Sequence, residues 1–272
     1  MSLVNTNWLL ENLNDVKIID SSWHLPNQNR NAFLEYSNEH IKNAIFFDID
    51  KFSDQDTELP HMLPKVTIWE NIVSNLGISN QDKIVVYDNS DLISSCRCWY
   101  TFIYFGHDPS LVSVLNGGLK KWKQEAKPVV KSETFISKSI YKAKENKEMV
   151  KSKNEIDKNI SLKNFRVVDA RSLERFEGKA PEPRKNVRGG SIEGSSCLPF
   201  NELINKKDNT FKTVENLDLI FKKVLDTVDN DVVFTCGSGI TASVLALAYS
   251  LINTKYMPTI YDGSWSEYGL IK

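Results

Sequence analysis

Six consecutive residues, Cys236-Gly237-Ser238-Gly239-Ile240-Thr241, concentrate more potential chemistry than any other stretch of this chain. The cysteine follows a short apolar run, Val232 to Phe234, which predicts a buried strand. After the turn, Ile240 to Ile252 is almost wholly apolar and long enough to be a buried helix. A cysteine placed between a strand's carboxyl end and a helix's amino end meets unpaired N–H groups and the positive end of the helix dipole, both of which favour an anion. A thiol at such an address is more readily a thiolate, and the glycines let successive N–H groups turn inward as a nest around the sulfur. The chemistry on offer is nucleophilic attack by sulfur. Spacing alone leaves a second reading equally open, an inert buried cysteine in a glycine-rich turn.

The elements that must position this turn come in two copies. VKIID (16–20) predicts a strand, as does the segment from His40 to Asp48, with a polar loop from Asn27 to Asn38 between them. The stretch 50–63 reads as a loop carrying Asp50, Asp54, Asp56 and His61. A helix from Thr67 to Leu76, stopped by Gly77, precedes a strand at Lys83–Tyr87, a helix at Ser94–Phe105, a strand at Leu111–Leu115 and a helix through Trp122. The second half repeats this order. FRVVD (165–169) matches VKIID, Val214–Leu225 is a helix, and Gly263-Ser264-Trp265 follows a strand as Asn116-Gly117-Gly118 does. Asp20 and Asp169, Val85 and Val232, Asn116 and Asp262 correspond at offsets of 146–149 residues. A repeat of that period means two domains rather than a solenoid, and strand–helix alternation means α/β with a mainly parallel sheet in each. The expected limits are 1–126 and 160–272, joined by a polar, Lys-rich linker at 127–159. Only the second copy has the Cys-Gly-x-Gly turn; the first has Ser94-Ser95-Cys96-Arg97 in its version of that loop. One copy is therefore expected to hold the chemistry and the other to support it.

The 272 residues are 41% hydrophobic and 25% charged, enough for a substantial core. A net charge of −1 argues against a nucleic-acid partner. No apolar run approaches the roughly 18 residues of a membrane span. Four cysteines do not make a disulfide framework. Glu11 and Asp15 stand before the first arginine, Arg30, so no leader is evident and the cytoplasm is the expected compartment. Neither a nucleotide-binding glycine motif nor a metal-ligand spacing occurs; no cofactor and no metal are expected. Cys96, Cys98 and Cys197 read as packing residues, and Trp265 as a pocket wall or a core aromatic.

At CGSGIT the chain resembles the two-domain rhodanese-like sulfurtransferases, and among them the 3-mercaptopyruvate branch, whose loop reads CGSGVT where the thiosulfate branch has CRKGVT. The resemblance extends over nearly the full length, through DIDKFSD (48–54), HMLP (61–64), VLNGGLKKW (114–122), DARSLERFEGKAPEPR (169–184) and YDGSWSEYG (261–269). It departs at 190–199, where the family's GHIPGAxNLP reads GSIEGSSCLP.

The resemblance implies two tandem rhodanese-like domains and sulfur transfer from a small-molecule donor. Cys236 is the implied nucleophile that holds the sulfur as a persulfide. Arg175 and Arg184 match the carboxylate-binding arginines, and Gly237, Gly239, Ile240 and Thr241 complete the binding loop. Ser238, His61 and Asp50 match a proton relay, a hydroxyl bonded to an imidazole that a carboxylate orients. With His61 and Asp50 supplied by the first domain, the site is expected at the domain interface. Thioredoxin, a small thiol or cyanide would accept the sulfur. Because Gly237 and Ser238 bring no cations to the loop, 3-mercaptopyruvate is expected over the thiosulfate dianion. Alternatives are a thiosulfate sulfurtransferase and a persulfide carrier without turnover. A cysteine-dependent phosphatase would need an arginine where this chain has Ala242.

Overall fold

Runs of four residues rich in β-branched and aromatic side chains form the centre of two sheets, IVVY in one and VVFT in the other, each buried along its whole length. Such runs suit parallel strands covered on both faces. The computed structural model describes residues 2–225 and 231–271. These divide into a first unit, comprising the chain up to Gln55 with Leu63–Asn146 and Lys206–Thr210, and a second unit, comprising Asp56–Met62, Lys147–Asn205 and the chain from Phe211 onward.

In the first unit β1 (Leu3–Val4), α1 (Thr6–Glu11), β2 (Lys17–Asp20), α2 (Ala32–Asn38), β3 (Ala44–Phe46), α3 (Ile49–Phe52), α4 (Val66–Asn75), β4 (Ile84–Tyr87), α5 (Ser95–Tyr104), β5 (Val112–Leu115) and α6 (Gly118–Gln124) follow in order. In the second come β6 (Val150–Lys151), α7 (Lys153–Leu162), β7 (Arg166–Asp169), α8 (Leu173–Phe176), β8 (Ser196–Cys197), α9 (Val214–Leu225), β9 (Val232–Thr235), α10 (Ile240–Ile252), β10 (Ile260–Tyr261) and α11 (Ser264–Tyr268). Each unit has a five-stranded sheet, ordered β1-β5-β4-β2-β3 and β6-β10-β9-β7-β8, and every pairing is parallel. The expected fold class, two tandem α/β domains with mainly parallel sheets, is what the chain adopts.

Strand order reverses between β7 and β9, with β8 on one side and β10 on the other. Ligands of open α/β sheets bind beyond the carboxyl ends of the strands at such a switch point. Asp169 is paired in register with Thr235, the residue before Cys236. The loops leaving β7 and β9 thus start side by side.

Three features differ from the sequence expectation. The segment 127–159 is not a free-standing linker: it belongs to the first unit as far as Asn146 and to the second from Lys147. In the first unit Tyr141 is buried and Ser139 N–H donates to Ser74 O at 3.0 Å, while a Cβ on left-handed Gly77 would meet Ser137 O at 2.5 Å. In the second unit this segment supplies β6 and starts α7, whose capping box pairs Ser152 with Glu155. Its lysines mask these elements because two-residue strands carry no periodicity. The polar stretch 27–38 contains α2, capped by Asn31. His61, expected from the first domain, falls with the second unit.

Candidate active site

Nine of the 13 residues of α10 are buried, so the helix is fixed against its unit and its amino end is a firm platform. Gly239 caps it with φ +84, a left-handed angle that glycine adopts without steric cost, and its N–H donates to Cys236 Sγ at 3.1 Å. The N–H groups of Ile240 and Thr241, first residues of α10, are among those a helix leaves unpaired. The turn is anchored from the next loop. Trp265 N–H donates to Cys236 O and Ser266 N–H to Gly237 O, both at 2.9 Å, while Ser264 Oγ accepts Cys236 N–H at 3.3 Å. The sulfur sits buried in a backbone cradle held on both sides.

Both predicted arginines reach this loop. A Cβ built on Gly237 would stand 3.3 Å from Arg175 Nη2 and 3.4 Å from Arg184 Nη1. Gly237 is therefore small because two guanidinium groups occupy the space beside it. Arg175 is held by Glu182, which accepts from its Nε at 3.2 Å and from its Nη2. The other oxygen of Glu182 accepts from Arg171 Nη1 at 2.7 Å. Arg171 is fully buried, paired with Asp169 through Nε and Nη2, bonded to Gly190 O, and stacked 4.3 Å from the Trp265 ring centre. Trp265 itself lies in the core with Ile156, Val167, Ile192, Val233 and Tyr261. Of the two readings offered for it, the core aromatic is correct.

Ser238 Oγ accepts from Arg184 Nη2 at 3.1 Å and lies 2.8 Å from His61 Nδ1. With Arg184 as donor, the hydroxyl proton can be given to Nδ1, which leaves the imidazole's own proton on Nε2. His61 is buried and takes a left-handed φ of +62, uncommon for a residue with a side chain. Asp50 lies in the first unit, on α3, where both its oxygens accept the Trp23 indole N–H at 3.0 Å. Cys236, Gly237, Ser238, Gly239, Arg175, Arg184 and His61 thus gather in the second unit, and Asp50 belongs to the first.

Sequence reasoning overlooked Glu182 and Arg171, although both stand inside the motif 169–184. The available signal was an Asp-x-Arg at the end of a buried strand, since an arginine there needs carboxylates around it. The other three thiols are pushed towards the protonated form. Cys96 and Cys98 are fully buried in α5, and burial pushes both thiols well above the ordinary range. Cys197 is half-buried rather than fully packed; burial and the Asp169 charge push it up to about 12. Among the described residues no cluster of three or more His, Cys, Asp or Glu is arranged to hold a metal ion, and no helix is long and apolar enough to cross a membrane.

The rhodanese-like domain family matches twice, over residues 5–125 and 152–270. The chain belongs to this family. It is 36% identical to thiosulfate/3-mercaptopyruvate sulfurtransferase 1, mitochondrial, of Arabidopsis thaliana over 98% of this chain and 75% of that protein. It is 35% identical to the 3-mercaptopyruvate sulfurtransferase of Mus musculus over 98% and 91% of the two chains. Among solved structures, SseA of Escherichia coli, a 3-mercaptopyruvate sulfotransferase, superposes with a TM-score of 0.87 at 31% identity, covering 97% of this chain and 99% of that one. This rhodanese-like protein is thus similar along nearly its whole length to sulfurtransferases.

Proposed function

We propose that this rhodanese-like protein is a sulfurtransferase that moves the sulfur of 3-mercaptopyruvate through a persulfide on Cys236 to a thiol or cyanide, releasing pyruvate. The observation that carries the reading is the convergence of Arg175 and Arg184 on Gly237, beside a cysteine whose sulfur accepts the Gly239 N–H. Paired guanidinium donors suit a carboxylate. The Cys236 thiolate attacks the donor's sulfur, and the carbon–sulfur bond breaks with its electron pair going to carbon. The enolate of pyruvate takes a proton, and the sulfur stays on Cys236 as a persulfide in the N–H cradle. Ser238 with His61 supplies that proton, its hydroxyl 2.8 Å from the imidazole. Asp50 is retained as the third member of the relay on the strength of its motif. An acceptor thiolate, from a small thiol or thioredoxin, then attacks the outer sulfur and frees Cys236. The composition supports a cytoplasmic place, while one relative is mitochondrial.

The double name of the Arabidopsis relative favours a second reading, thiosulfate as donor with sulfite leaving. Steady-state kcat/KM for both donors with one thiol acceptor separates them. Preference for 3-mercaptopyruvate, with pyruvate formed in step with sulfur transferred, is expected; preference for thiosulfate keeps Cys236 and discards the donor. In the same assay Asp50→Asn should lower kcat with little change in KM. An unchanged kcat removes Asp50 from the relay.

A further inference from the structure

Glu182 stands in the middle of an alternating row of charges. Asp169 pairs with Arg171, Arg171 with Glu182 at 2.7 Å, and Glu182 with Arg175, whose Nη2 lies against Gly237. The side chain of Glu182 is 3% exposed and that of Arg171 0%. Water therefore screens the inner three members, Asp169, Arg171 and Glu182, weakly, while Arg175 at the loop end is 25% exposed and partly screened. Two carboxylates and two guanidinium groups balance. Arg175 consequently offers fixed N–H donors to the loop with its charge already offset.

We propose that Glu182 determines donor selectivity by keeping the positive charge at the Cys236 loop low enough to suit a monoanion. This rests on the reading of the loop as the donor site. A ligand's attraction to a fixed charge scales with its own charge, so a dianion gains twice what a monoanion gains from each added cation. Thiosulfate is a dianion, whereas 3-mercaptopyruvate carries one carboxylate. Replacing the Glu182 carboxylate by an uncharged group leaves the Asp169–Arg171 pair whole and turns the balanced row into one with a net positive charge beside Gly237. Glu182 is a positioning and charge-setting residue and is not itself asked to touch the donor.

The experiment is kcat/KM for 3-mercaptopyruvate and for thiosulfate in wild type, Glu182→Gln and Glu182→Asp, at low and at high salt. In Glu182→Gln the ratio of thiosulfate to 3-mercaptopyruvate should rise about tenfold, for one added charge several ångströms away in a partly screened site. The rise should shrink with salt. Glu182→Asp, which keeps the charge, should return the ratio to the wild-type value even if both rates fall. Should the amide variant not fold, Glu182→Ala removes the same charge without leaving a polar group beside Arg171. If the charge-removing variant loses both donors equally, with the ratio unmoved, Glu182 only holds Arg175 in place and the inference is overturned. Wild type turning over neither donor would instead mean that the functional reading has failed.

Discussion

Asp20 and Asp169 close equivalent strands in the two units, yet their partners differ. Two residues beyond Asp169 stands Arg171, which meets its charge; two beyond Asp20 stands Ser22, which donates its N–H at 3.0 Å and its hydroxyl at 2.5 Å. Neutral donors do not offset full burial, and burial pushes the Asp20 carboxyl up from 3.8 to about 6. The folded state therefore holds this proton more tightly than the unfolded chain does. The stabilisation is full below pH 3.8 and is lost as pH rises through about 6. At neutral pH the ionised group costs on the order of 2–3 kcal/mol. Asp20→Asn keeps an oxygen for Ser22 and removes the charge. Denaturant unfolding at neutral pH should show a gain of about 1–2 kcal/mol, vanishing when repeated below pH 3.8. A gain of equal size in acid would point to packing rather than ionisation.

A strand, a tight turn and a buried helix make the site at the scale of elements. β9 brings Cys236 to the sheet's carboxyl edge, and α10 supplies the N–H groups. Helix α10 is held by apolar burial and not by capping, since Gly239 offers no side chain. Leu247 is fully buried two turns below the loop. Leu247→Ala should cost about 2–5 kcal/mol, the usual range for a cavity in a core. Thermal or denaturant unfolding would register it, while KM of the folded fraction stays as in wild type. A changed KM at unchanged stability would mean that α10 transmits strain to the loop. The first unit's version of this loop is spent on structure: Asp88 accepts the N–H groups of Ser90 and Ser95, and Ser90 and Ser94 bond the backbone of Trp23, which holds Asp50.

For the whole molecule, two copies of one topology carry one cysteine at a strand–helix turn of the Cys-Gly-x-Gly kind. Where the second unit has Cys236 directly after β9, the first has Asp88 directly after β4, and burial holds the thiols of Cys96 and Cys98 protonated. Reaction with donor in the absence of acceptor should add a single sulfur atom per chain by intact mass. Cys236→Ser should add none. A second sulfur, or any on Cys236→Ser, would show that another cysteine takes part.

The repeat, both central strands, α9, α10 and the loop were legible in the sequence because each rests on local rules. Apolar runs bounded by turns give strands, long apolar runs give helices, and Cys-Gly-x-Gly at their junction places a cysteine at a helix N-terminus, where a nucleophile and an inert packed thiol are equally open on spacing alone. α10 lies at the limits its residues predict, and β9 runs one residue past its apolar run, to Thr235. The two-residue strands β1 and β6, the helix α2 and the division of 127–159 were not legible, because such short or polar pieces owe their form to neighbours distant in sequence. The same holds within the site. Sequence named Arg175 and Arg184, but that both lie against Gly237, that Glu182 offsets one of them, and that His61 meets Ser238 across 177 residues are matters of tertiary structure. Side-chain type is local information. Which charges balance, and which donor finds which acceptor, depends on distances that only the folded chain fixes.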